Sequence, residues 1–205
     1  LMCQAVENNK GTVCRFMGDG IMAMFGAPLA SERHALEGCC AALEMQASIA
    51  AYADELGSSG GNSVQIRVGL HSGEVVVLEV GDDPNQPEYD ASGPTVPLAA
   101  RMEQSAAAGT IQMTPQTRAL AGVAIEVSEG PAIEVKGFSN PIPVFQLERV
   151  LSASESTATR RPIIGRKAEL AQFKGLLASC LEEQRGQCIQ VRGDAGIGKT
   201  RLVEE

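Results

Sequence analysis

Apolar residues follow two different rhythms along this chain, and the switches between them predict its elements. Leu36, Cys40, Leu43, Ala47 and Ala50 recur at three- and four-residue spacing, the period of a single helical stripe, which predicts a long helix over 30–56. Ser31 is its expected N-cap, and the Gly57-Ser58-Ser59-Gly60-Gly61 run its stop. Val64, Ile66, Val68 and Leu70 then alternate with Gln65, Arg67, Gly69 and His71, the period of a half-buried strand. A turn at Ser72-Gly73 leads to a second strand over 74–80, so the pair reads as a hairpin. Nearer the start, two apolar runs flank Gly18-Asp19-Gly20. An Asp-Gly pair between such runs predicts a hairpin over 11–25 with Asp19 at its tip.

The rest of the chain extends the same pattern. Residues 1–9 read as the end of a helix and 95–107 as a short helix, while 110–113, 123–127, 133–135 and 143–147 read as short strands. Helices interleaved with hairpins predict an α+β layer with the helices on one sheet face. Residues 151–161, rich in Ser, Thr and Ala without apolar period, predict a linker between a first domain, 1–150, and a second, 162–205. The second stretch is too short to bury a core of its own. The chain opens inside a helical pattern and stops just after another helix begins, so it reads as a piece of a longer protein.

Composition narrows the partners. With 44% hydrophobic and 3% aromatic residues over 205 positions, one or two soluble globular domains are expected. A net charge of -8 supplies no basic face for a polyanion, so nucleic acid is not an expected partner, whereas small metal-screened nucleotides are. No apolar run nears the roughly 20 residues of a membrane span and no leader pattern opens the chain, which makes the cytoplasm the default compartment. Six cysteines without C-x-x-C spacing read as reduced thiols. His34 and His71, each without companions at ligand spacing, read as structural.

Three segments carry candidate chemistry in order: Gly18-Asp19-Gly20, then Ile66-Arg67-Val68-Gly69-Leu70-His71-Ser72-Gly73-Glu74-Val75, then Tyr89-Asp90-Ala91-Ser92-Gly93-Pro94-Thr95-Val96-Pro97-Leu98-Ala99-Ala100-Arg101-Met102-Glu103. Together they resemble the catalytic domain of the class III adenylate and guanylate cyclases over about residues 1–150. The resemblance implies a ferredoxin-like α+β domain that dimerises head to tail, with active sites at the dimer interface. It also implies attack of a ribose 3′-hydroxyl on the α-phosphate of ATP, giving cyclic AMP and pyrophosphate. Such chemistry asks mainly for positioning and charge neutralisation, hence for carboxylates on two divalent ions, Mg or Mn, and a cation facing the phosphates. Asp19 matches one metal-binding aspartate, and the other belongs to a strand preceding this sequence. Arg101 matches the transition-state arginine, one helical turn after Pro97. Asp90 matches the aspartate that reads adenine. Two positions depart from the family: Pro97 stands where active members carry Asn, and Arg15 where they carry the purine-reading Lys. Proline supplies neither side-chain amide nor backbone N–H, and arginine is a bulkier planar fork. A cyclase fold that has lost turnover and serves as a nucleotide-sensing or dimerisation module therefore stays beside the enzyme reading. The plain alternatives are a helix-capping carboxylate for Asp90 and a solvated helix arginine for Arg101.

A second motif lies beyond the linker. Gly193, Asp194, Ala195, Gly196, Ile197, Gly198, Lys199 and Thr200 satisfy the Walker A pattern after an apolar strand expected over 188–191. In such a loop backbone N–H groups cradle phosphates, the Lys reaches the β and γ phosphates, and the Thr hydroxyl goes to magnesium. With Gly165-Arg166-Lys167-Ala168-Glu169-Leu170 upstream, the segment resembles the start of an AAA-like signalling ATPase, an α/β P-loop NTPase. Cyclase domain followed by ATP-binding module implies a signalling protein.

Overall fold

Strand pairing begins where the polar tip interrupts the two apolar runs. β1 (Thr12–Met17) and β2 (Gly20–Met24) run antiparallel with Met17 opposite Gly20. Gly18-Asp19 is thus a two-residue loop, and Gly18 takes the positive φ, 66°, that such a turn requires. The structure, a computed structural model, describes residues 1–58, 64–80, 89–135, 140–152, 165–186, 188–192 and 202–203. Its backbone separates into two units, Leu1–Thr157 and Ala158–Glu205. In the first, α1 (Met2–Asn8) buries Ala5 and Val6 beside the β1–β2 ribbon.

The long helix, α2 (His34–Ser58), starts four residues later than the expected 30 because Ser31 is committed to a turn. Its hydroxyl accepts the Arg33 N–H at 3.2 Å and its carbonyl the His34 N–H at 3.3 Å. The buried stripe also differs. Ala35, Cys39, Ala41, Ala42 and Met45 are buried, whereas Ala47 and Ala50 are exposed. α2 serves two clusters: Ala35, Cys39 and Ala42 pack with Ile111, Met113, Phe145 and Leu147, while Ala41 and Met45 pack with α1 and the ribbon. Small residues spread over two faces let one helix approach both.

A second correction concerns the expected hairpin at 64–80. β3 (Val68–Leu70) and β4 (Val76–Glu79) do not pair with each other. β4 pairs antiparallel with β5 (Tyr89–Ser92), and α3 (Thr95–Ser105) then crosses over so that β6 (Ile111–Met113) returns parallel to β3. The connecting residues are fastened elsewhere. His71 Nδ1 lies 2.8 Å from Thr114 Oγ1, and the Thr95 hydroxyl donates to the Glu74 carbonyl at 2.5 Å. After β6 comes α4 (Pro115–Ala121), which the sequence pattern did not predict. The expected strands at 123–127 and 133–135 are one strand, β7 (Ile125–Ile133), and β8 (Ile142–Val150) completes a sheet in the order β3-β6-β8-β7. Gly130-Pro131 reads as a breaker, but β7 is an edge strand and its register shifts between Gly130 and Ile133, so the proline removes no essential ladder bond.

The second unit contains α5 (Lys167–Glu183), preceded by Arg166, whose Nη1 donates to Glu169 Oε1 at 3.0 Å. Residues 188–191, expected as a strand, take no regular structure, and no described strand is there to pair with them. The Walker A residues 193–200 and linker positions 153–161 lie outside the described residues. No helix among the described residues is long and apolar enough to cross a membrane.

Candidate active site

Asp90 sits in β5 opposite Leu78 of β4. Arg15, 75 residues earlier in the sequence, reaches it from β1. A bulge in β1 between Val13 and Arg15 shifts the register, setting Val13 opposite Ala23 and Arg15 opposite Met22. Bulges of this kind re-aim a side chain. The guanidinium is wrapped on the carboxylate: Nε donates to Oδ1 at 3.0 Å, and Nη2 to Oδ1 and Oδ2, each at 2.5 Å. The backbone N–H of Ala91 also donates to Oδ1, at 2.8 Å. The Arg15 hydrogen bonds hold the Asp90 carboxyl below the usual carboxylate range, and Asp90 in turn raises Arg15. Half-burial, with Asp90 adding to it, pushes the neighbouring Cys14 thiol up. Asp90 is therefore not the helix cap of the plain alternative, since its oxygens go to Arg15 and its own strand.

The other candidates lie apart from this pair. Asp19 is exposed at the ribbon tip. Three residues separate it from Arg15: Phe16 and Met17 of β1 and the turn residue Gly18. Pro97 occupies the first turn of α3, exposed, and Arg101 follows one turn later on the same face, also exposed, its Nη1 donating to Gln104 Oε1 at 2.8 Å. Among the described residues no hydrogen bond or ion pair joins Asp19, Pro97 or Arg101 to one another or to the Arg15–Asp90 pair.

A buried scaffold holds α3 in place. Leu98 and Met102 are buried under it, and Gly69 of β3 lies so close that a Cβ there would run into the Ala99 and Glu103 backbone, 2.8 Å from the Glu103 Cα. A Cβ on Gly73 would fall 2.6 Å from the Thr95 hydroxyl. Burial lowers His71, which keeps its ring neutral against the fully buried Thr114. His71 is structural, as its sequence context implies, and Thr95 and Thr114, which carry no signal of their own in the sequence, hold the segments on either side of it. The glycines at 69 and 73, in the same motif, were the available sign of a close approach.

Arg15, Asp90 and the α3 pair thus sit on one unit as an ion-paired carboxylate near a helix bearing an exposed arginine. The family model described as adenylate and guanylate cyclase catalytic domain matches residues 2–149. The chain belongs to that family. An uncharacterised protein of Rhizobium meliloti (strain 1021) is 30% identical over 207 residues, 98% of this chain and 20% of that protein. Adenylate cyclase 1 of the same strain is 36% identical over 103 residues, 50% of this chain and 15% of that enzyme. The chain accordingly spans a fifth or less of these two relatives' length. The crystal structure of the guanylyl cyclase Cya2 aligns with a TM-score of 0.66 at 28% identity, covering 73% of this chain and 75% of that one. The mixed α+β architecture is therefore the nucleotide cyclase fold.

Class III cyclases generally use two divalent metal ions. Among the described residues of this cyclase domain, no three His, Cys, Asp or Glu side chains gather where they could hold one. Asp19 is a single exposed carboxylate, and a hard divalent cation needs several oxygen ligands. The described residues of one protomer do not fit a two-ion site, and no step is assigned to a metal.

Proposed function

We propose that the first unit is an adenylate cyclase-type domain, converting ATP to cyclic AMP and pyrophosphate in a homodimer, joined to an ATP-binding P-loop module in an intracellular signalling protein. The observation that carries this reading is the meeting of Arg15 and Asp90 from distant segments at the family's two base-reading positions. Arg101 is the cation that faces the triphosphate in the transition state, and Asp19 stands at one metal-ligating position of the family without the further oxygen ligands that a divalent ion needs. The lack of any hydrogen bond or ion pair between Asp19 and α3 among the described residues supports a site completed between two copies, with the ribbon tip of one facing the helix of the other. Exposed apolar residues on the strands beside these positions, Phe16, Met17, Val76 and Leu78, support such an interface, since water contact at large side chains is relieved by a partner.

Pro97 favours a second reading, in which the domain binds nucleotide or dimerises without turnover and regulates the P-loop module. It is exposed at the start of α3 and offers no donor where the family has an amide. Cyclic nucleotide formation by the full-length protein, with ATP or GTP and manganese or magnesium, separates the two. Cyclic AMP above the level of an Asp19→Asn control supports the enzyme, whereas identical background in both supports the regulatory module.

A further inference from the structure

The Asp90 carboxylate is already largely occupied from within the chain. A carboxylate has about four lone-pair sites. Oδ1 accepts from Arg15 Nε, Arg15 Nη2 and the Ala91 N–H, and Oδ2 accepts from Arg15 Nη2. A purine amino group approaching Asp90 therefore meets three donor nitrogens already in place, with Oδ1 fully engaged and one lone-pair site left on Oδ2 beside the Arg15 guanidinium. Lysine at position 15 would not produce this state, because an ammonium is a point charge that touches one or both oxygens without a fork. Arg15 retains Nη1 as its one terminal nitrogen not turned to Asp90, and its side chain is 48% exposed, so the pair lies at the surface rather than in the core.

We propose that Arg15 is an internal occupant of Asp90 which an incoming base must displace or share, so that nucleotides are held mainly through ribose and phosphates and ATP is poorly distinguished from GTP. This rests on the cyclase reading of the same site and adds that position 15 sets base discrimination. Opening the pair exchanges several charge-assisted hydrogen bonds for those to the base, and the base gains little net affinity. The reading does not require loss of the fold or of the phosphate contacts. It makes the closed pair the resting state and base recognition conditional on its opening.

Calorimetric titration of the dimeric full-length protein with ATP, GTP and inorganic tripolyphosphate tests this, in a Lys199→Ala background that silences the P-loop. The wild-type pair should bind the two nucleotides within about threefold of each other. Arg15→Lys, which keeps the charge and loses the fork, should tighten ATP roughly fivefold relative to GTP and leave tripolyphosphate unchanged. An ATP-to-GTP ratio unmoved by Arg15→Lys overturns the proposal, as does a selective loss of ATP, which would make the Arg15 fork the base reader. Failure of all three compounds to bind either protein overturns the cyclase-site reading itself, a result distinct from an unmoved ratio. As a second readout, the Arg15 Nε–H resonance of the free protein should be lost or shifted in Asp90→Asn. An unchanged resonance shows the pair absent in solution and overturns the proposal.

Discussion

Three residues, Pro97, Arg101 and Asp19, test whether this domain turns over. Pro97 removes one donor from the face that Arg101 shares, and a single preorganised donor is worth about a hundredfold to a thousandfold in rate. Pro97→Asn should therefore raise cyclic AMP production in the full-length dimer, Arg101→Ala should lower it by a comparable factor, and Asp19→Asn should reduce it to background. Equal background in all variants, with folding intact, leaves only the regulatory module. Asp90 adds a pH dependence whose sign follows from its lowered carboxyl. A group with a depressed folded value contributes stability above its unfolded value, about 3.9, and loses it as pH falls through the folded one. The difference in thermal midpoint between wild type and Asp90→Asn should be flat from about pH 8 to 5 and close below about pH 4. The effect is small because Arg15 is half exposed and solvent screens the pair.

At the scale of elements, the position of α3 depends on a strand residue with no side chain. A methyl at Gly69 would enter the Ala99 and Glu103 backbone, and neither can yield without moving the helix. Overpacking of this kind costs about 1–3 kcal/mol, more where the obstacle is backbone. Gly69→Ala should lower the urea midpoint accordingly and displace Arg101 with α3, so turnover should fall further than stability alone explains. The alternation at 64–70 marks a strand of which only Val68–Leu70 forms, and it does not report that strand's partner, β6. Strand period reports which face is buried and carries no information on which neighbour supplies the hydrogen bonds. The same limit explains α2, whose two buried faces blurred the three- and four-residue period into a stripe running through the exposed Ala47 and Ala50.

For the whole molecule, a site shared between copies makes a sharp prediction. Asp19→Asn and Arg101→Ala protomers, each inactive as homodimers, should regain about a quarter of wild-type activity when mixed equally, because half the dimers are mixed and each then holds one intact site. No recovery on mixing, with exchange verified by mass, places all these residues in one protomer's site. In a protein completing the second unit, Lys199→Ala should abolish ATP hydrolysis there while leaving cyclic nucleotide formation measurable. The sequence by itself determined the ribbon with Asp19 at its tip, since Gly-Asp-Gly between apolar runs is a local turn signal, although the loop falls on Gly18-Asp19 rather than Asp19-Gly20. It also determined the cyclase membership, carried by three ordered segments that need no contact to be read. Only the tertiary structure decided that β3 pairs with β6 and β4 with β5, and that Arg15 closes on Asp90 across 75 residues. Those contacts depend on a crossover helix, a strand bulge and a glycine-sized gap acting together, and a pattern of neighbours along the chain cannot report on groups that meet only when it folds.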